Sequence, residues 1–176
     1  IKHLSSRTKG ERRKRMIILL LYGCGLRTIE LCKLNIPDIN CERQEIFIRS
    51  GKGDRERVIP VPSGLWTELL AYLHERRKFR GPLFCTEIKE KRISSKTVCD
   101  TVREAVQRAG LSSDITARTL RHTFATHLMD NGVDVAIISS LMGHRSPRET
   151  GIYLHALPGK TASAISELFN RKEDGK

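Results

Sequence analysis

The sequence contains no apolar run long enough to cross a bilayer. The longest, Met16 to Tyr22, is far short of the roughly 20 residues a spanning helix needs, so membrane insertion is excluded for this stretch. No internal repeat or low-complexity segment is present, which removes solenoids and fibrous arrays. Cysteine is sparse and unpaired in pattern. The five residues Cys24, Cys32, Cys41, Cys85 and Cys99 are odd in number and scattered without a CxxC, so they read as reduced, mostly structural thiols of a cytoplasmic type of protein. A metal site is not expected: His122 and His127 stand five apart, off the i, i+4 register of a helical zinc pair, with no carboxylate between them. Aromatic residues are scarce at 5%. No signal peptide is visible, and because the chain does not begin with Met, an excised fragment is expected.

Positive charge is abundant. Of 176 residues, 32 are Lys or Arg against 20 Asp or Glu, a formal excess of +12 that favours a polyanionic partner, nucleic acid ahead of an anionic membrane surface. The length suits one domain with a buried core. The patterning predicts a mainly α fold with one small antiparallel β-sheet. "GERRKRMIILLLYGCG" reads as a helix with a basic start and a buried second half, stopped by Gly23 and Gly25. "LRTIELCKL" follows as a second helix, with Ile29, Leu31, Cys32 and Leu34 supplying an apolar stripe before Pro37. "QEIFIRS" and "RVIPVP" are β-branched runs flanking "GKGDRE", a hairpin signal that places Lys52 on an exposed turn. From Ser63 a helix carries Leu65, Leu69, Leu70 and Leu73 on one side, and another is capped by Ser94 or Ser95 and ends at Gly110. The last third reads as wholly helical: about Arg118 to Asp130; a helix after Asp134 packing Val135, Ile138, Leu141 and Met142 and ending at Gly143; one from Ser146; and one over about Thr161 to Arg171. Phe124, Leu128 and Met142 are expected in the core.

Arg118 and Arg121 stand three residues apart at a helix start, so both guanidinium groups are expected to share a face and point the same way. Alone, such a pair is an ordinary solvated basic face. The same holds for Arg27 on a helix surface, Lys52 in a turn, His144 after a helix end and Tyr153 as a half-buried aromatic. "KGERRKR" reads as a solvated or phosphate-contacting helix start, and "KEKR" as a loop.

Four blocks change this balance. "GCGLRTIELCKL", "GKGDRERVIPVP", "TLRHTFATHL" and "LMGHRSPRETGIYLH" occur in the order and spacing of the tyrosine recombinases, also called phage integrases. The chain resembles the Xer-type bacterial and archaeal members most, and the blocks span Gly23 to His155. The resemblance implies attack by a tyrosine on a DNA phosphodiester, giving a 3′-phosphotyrosyl link and a free 5′-hydroxyl, then strand exchange and religation. It implies no metal, ATP or other cofactor, because the bond energy is kept in the covalent link. By position, Arg27 and Arg121 fill the family's two arginine slots on the phosphate oxygens, where a planar, permanently charged fork suits the task. Lys52 falls in the slot of the lysine that protonates the leaving oxygen. His144 fills the His/Trp slot, and Tyr153 that of the nucleophile. With an ordinary pKa of about 10, a tyrosine needs such a cationic site to attack at neutral pH.

One slot departs from the family. Where members usually carry histidine, the candidate base, this chain has Arg118, a very poor base that acts only electrostatically. The substitution implies reduced activity.

The resemblance further implies a core-binding domain before residues 1–10, which read as a linker remnant. Residues 11–157 then form the catalytic domain and 158–176 a C-terminal helix and tail, with Ile165, Leu168 and Phe169 on a face suited to a neighbouring protomer. Double-stranded DNA is the implied partner, with a tetramer of full-length protomers on paired sites and a monomer for the isolated domain. Two other readings stay open. "VDVAIISSLMGHRSPRETGIYL" alone would pass as a non-catalytic helix-turn-helix DNA reader, indifferent to Tyr153→Phe. A type IB topoisomerase-like activity would share the chemistry without recombination.

Overall fold

The computed structural model describes residues 8–49, 56–86 and 91–143. Six α-helices and three short strands occur among them: α1 (Lys9–Gly23), α2 (Thr28–Lys33), β1 (Ile39–Asn40), β2 (Glu45–Ile48), β3 (Arg57–Pro60), α3 (Ser63–Arg76), α4 (Ser95–Arg108), α5 (Ala117–Asp130) and α6 (Val135–Met142). The mainly α architecture with one small antiparallel sheet follows the expectation from sequence. The expected turn around Lys52 and the helices from Ser146 and Thr161 lie outside the described residues.

Helix α1 starts on a capping box, in which the Thr8 hydroxyl accepts from the Glu11 amide while the Glu11 carboxylate accepts from the Thr8 amide. Its second half, Met16 to Leu21, is buried on every side, as expected of a helix that is apolar all round. Helices α3, α4 and α5 pack around it. Leu65, Trp66, Leu69 and Tyr72 of α3 and Val98, Val102 and Val106 of α4 complete one core with α1. Phe124 and Leu128 of α5 join Ile138, Leu141 and Met142 of α6 in a second, smaller one.

The chain leaves α1 through Gly25, at φ +57°, where a Cβ would lie 2.3 Å from the Phe124 ring. Only glycine fits a left-handed turn pressed against an aromatic. The sheet runs β1-β2-β3, antiparallel, with Ile46 opposite Ile59 and Ile48 opposite Arg57. Side chains alternate across a strand, so Arg57 shares the inward face with Ile59, while Val58 between them is exposed. Strand β1 was not expected; it is only two residues long, too short for an alternating pattern.

Three apolar residues expected to be buried are exposed: Ile29, Leu70 and Val135. Ile29 and Val135 sit in the first turns of short helices, and on α3 Trp66 and Tyr72 take the buried face in place of Leu70. Among the thiols, Cys24, Cys32 and Cys85 are buried, and burial pushes Cys24 up to about 12, while Cys41 and Cys99 are exposed.

Candidate active site

The N-terminus of α2 is built around a buried carboxylate. Arg27 occupies the N-cap, and the Glu30 side chain folds back to accept from the Arg27 amide at 2.8 Å and from its guanidinium at 2.8 Å. From the sheet side, Arg57 donates to both Glu30 oxygens, at 2.8 Å each. From α5, Arg121 brings Nη1 to 3.7 Å from Glu30 Oε2. Among the described residues, three guanidinium groups from three separate segments therefore meet one carboxylate, Glu30.

The same three arginines complete the C-terminus of α6. Arg57 Nε donates to the Leu141 carbonyl at 2.6 Å, Arg121 Nη2 to that of Met142, and Arg27 Nη2 to that of Gly143 at 3.1 Å. The last carbonyls of a helix lack intrahelical partners and carry the negative end of its dipole, which is why cations gather there. Arg121 Nη1 also donates to the Gly25 carbonyl, tying α5 to the turn after α1. Burial of Glu30 pushes its pKa up, yet the hydrogen bonds and charge of Arg57, with the bonds from Arg27, outweigh it and hold the carboxyl below the usual range.

Exposure separates the members of this cluster. Arg57 and Arg121 are buried, at 7% and 10% of side-chain exposure, whereas Arg27 keeps 32%. An anion arriving from solvent would meet Arg27 first, with the charge of Arg121 behind it.

Arg118 differs from the expectation that it would point where Arg121 does. It is exposed on the first turn of α5, while Arg121, one turn further, is drawn inward by the Gly25 and Met142 carbonyls. Backbone acceptors decide the direction of Arg121, and a shared helix face does not. Lys52, His144 and Tyr153 lie outside the described residues. His144 directly follows Gly143, whose carbonyl Arg27 holds. The two histidines of α5 have separate surroundings: His122 is exposed, and His127 Nδ1 lies 2.9 Å from the Tyr22 hydroxyl.

Glu30 and Arg57 were not singled out from sequence. The signal for Glu30 was a carboxylate inside the apolar run "TIELCKL", three residues after an arginine. For Arg57 it was strand parity, two positions before the inward Ile59. The basic start of α1 also needs correction. Arg12 pairs with Glu75 at 2.7 Å, Lys14 with Glu104 at 2.6 Å and Arg15 with Glu68 at 2.8 Å, and Arg13 donates to the Cys85 carbonyl at 2.8 Å. These cations fasten α1 to its neighbours. Arg92, expected in a loop, donates to the Cys32 and Leu34 carbonyls and so closes the end of α2.

The chain belongs to the phage integrase family, the tyrosine recombinases, whose sequence profile matches residues 1–160. It is 42% identical over 166 residues to the tyrosine recombinase XerA of Pyrococcus furiosus, covering 93% of this chain and 56% of that protein. With the XerD recombinase of Corynebacterium glutamicum it shares 33% identity, over 96% of this chain and 55% of the relative. The fold superposes on a crystal structure of a XerA recombinase with a TM-score of 0.71 at 28% identity, covering 99% of this chain and 61% of that one. It also superposes on a XerH site-specific recombinase bound to its difH substrate in a pre-cleavage complex, with a TM-score of 0.69 at 28% identity, over 88% and 46% of the two chains. The chain thus spans just over half the length of the curated relatives it matches. No described helix is long and apolar enough to cross a membrane.

Proposed function

We propose that this chain carries the catalytic portion of a site-specific recombinase acting on double-stranded DNA. One observation carries the reading: Arg27 and Arg121, the two arginines whose sequence positions match the family's, converge from separate segments on the Glu30 carboxylate and the end of α6. Such a cluster suits a phosphodiester, since preorganised cations stabilise the charge that develops on nonbridging oxygens in the transition state. The Tyr153 hydroxyl gives its proton to solvent water as its oxygen attacks phosphorus and the bond to the 5′-oxygen breaks, with Lys52 giving the leaving oxygen its proton and His144 donating to the phosphate. Arg118, exposed at the start of α5, adds a permanent positive charge but takes no proton. The reverse attack by a 5′-hydroxyl of the partner strand reseals the DNA, so no cofactor is consumed. The full-length protein works as a tetramer on paired sites in the cytoplasm, residues 158–176 reaching a neighbour, and the isolated chain is a monomer. The XerH complex with difH supports a DNA partner by relationship.

The test is a covalent adduct. The protein is incubated with supercoiled DNA carrying the flanks of its own gene, quenched with detergent and assayed for DNA-linked protein. The adduct is expected from the wild type and absent from Tyr153→Phe, and Arg118→His is expected to raise the yield by restoring a base. Tight DNA binding with no adduct from either the wild type or Arg118→His would favour the helix-turn-helix reading. Relaxed circles without recombinant product would favour topoisomerase-like action.

A further inference from the structure

We infer that Arg57 is a positioning residue of this site, a buried fork that sets the places of Arg27 and Arg121 through Glu30 and the end of α6. The inference rests on the recombinase reading above and concerns a side chain that does not itself face the substrate.

Arg57 is 7% exposed, too deep to meet a DNA phosphate directly. All three of its nitrogens are used. Nη1 and Nη2 grip the two oxygens of Glu30, and Nε holds the Leu141 carbonyl. Both ends of that grip bear on the phosphate-facing arginines. Glu30 Oε1 accepts from Arg27 and Oε2 lies near Arg121, so the orientation of the carboxylate fixes where both guanidinium groups can lie. Leu141 is followed by Met142 and Gly143, whose carbonyls hold Arg121 and Arg27 from the other side. Arg57 touches both supports, as Arg27 and Arg121 do, but it donates to both Glu30 oxygens and to α6 from a buried position.

Its fit to α6 is close. Gly143 has φ +63°, and a Cβ there would stand 2.9 Å from Arg57 Nη1, so the backbone lies directly against the guanidinium. A left-handed turn and the absence of a side chain are both needed for this approach. Strand parity explains how an arginine reaches such a place, because Arg57 takes the inward position opposite Ile48. The β2-β3 connection, residues 49–56, includes Lys52 and ends immediately before Arg57, and His144 follows the glycine that Arg57 supports. A planar fork with three fixed donor directions can hold this geometry, whereas an ammonium of equal charge cannot.

The test separates positioning from mere charge or stability. Adduct formation with the supercoiled DNA described above is measured for the wild type and Arg57→Lys, alongside DNA affinity and thermal unfolding. Binding of inorganic phosphate is followed through the guanidinium 15N signals of Arg27 and Arg121. Arg57→Lys is expected to lower the adduct rate at saturating DNA about 100-fold, as a misplacement of order 1 Å does, while the half-saturating DNA concentration stays within about threefold. The coupled phosphate response of Arg27 and Arg121 is expected to be lost in the same variant. If Arg57→Lys does not fold, the neutral pair Arg57→Gln with Glu30→Gln takes its place with the same expectation. A variant that cleaves and binds phosphate like the wild type overturns the inference, and so does a failure of both variants to fold, which would make Arg57 purely structural. Absence of an adduct from the wild type refutes DNA cleavage instead. In that case loss of the phosphate response in Arg57→Lys still supports positioning, and its retention overturns it.

Discussion

Glu30 shows how much one residue organises here. It is 8% exposed on its side chain and ionised, a combination that is costly unless cations and hydrogen bonds surround the carboxylate. Arg27 and Arg57 bond it and Arg121 stands close. Since its folded pKa lies below the ordinary 4.5, the native state binds fewer protons than the unfolded chain in the interval below 4.5. Stability from Glu30 is therefore full above about pH 4.5 and is lost as pH falls through the lowered value. Glu30→Gln leaves Arg57 buried without its counter-charge and should cost about 3 kcal/mol at neutral pH. Urea unfolding of both proteins from about pH 7 down to about pH 3 should show that difference shrinking in acid. A gap independent of pH would mean that the charge of Glu30 is not what stabilises the cluster.

At the scale of elements, the turn between α1 and α2 matters most, because it sets the distance from the main core to the site. Gly25 lies left-handed against Phe124, and its carbonyl anchors Arg121. Gly25→Ala would add backbone strain and an overlap with a fully buried ring, so a loss of about 2–4 kcal/mol is expected from the two costs together. Thermal unfolding checks the loss, and the 15N signal of the Arg121 guanidinium should shift because its acceptor moves. The helices were legible in the sequence: Ser94 caps α4, α6 starts after Asp134 and Gly143 terminates it as expected, while the Thr8 and Thr116 caps of α1 and α5 were not singled out. Strand β1 was not, since two residues carry no period. Nor was the exposure of Ile29, which depends on how few turns α2 has to bury.

For the molecule as a whole, the count of 32 Lys and Arg residues overstates what is available to a polyanion. Arg12, Lys14 and Arg15 each face a carboxylate of α3 or α4, and Arg92 holds backbone carbonyls. Binding to duplex DNA weakens with salt in proportion to the phosphates neutralised, by about 0.9 in log–log slope for each. Neutralising Lys14 or Arg15 should leave that slope unchanged, whereas Arg118→Ala, which removes an exposed cation beside the proposed site, should reduce it by about one. Fluorescence anisotropy with a DNA duplex across a salt series measures both. A drop of similar size for Lys14→Ala would place α1 on the DNA.

The sequence by itself determined the described helices, the pairing of β2 with β3 and the family, because caps, glycine stops and apolar periods are local signals and the four motif blocks are contiguous. It also named Arg27 and Arg121. Only the tertiary structure decided that Arg121 turns inward while Arg118 stays in solvent, and that Glu30 and Arg57 join the cluster. The reason is that the acceptors concerned, the carbonyls of Gly25, Leu141, Met142 and Gly143, lie on segments far apart in the chain. Every residue carries a carbonyl, so no residue type announces which ones an arginine will find, and only the packing of α2, β3, α5 and α6 with the turn after α1 brings those donors and acceptors together.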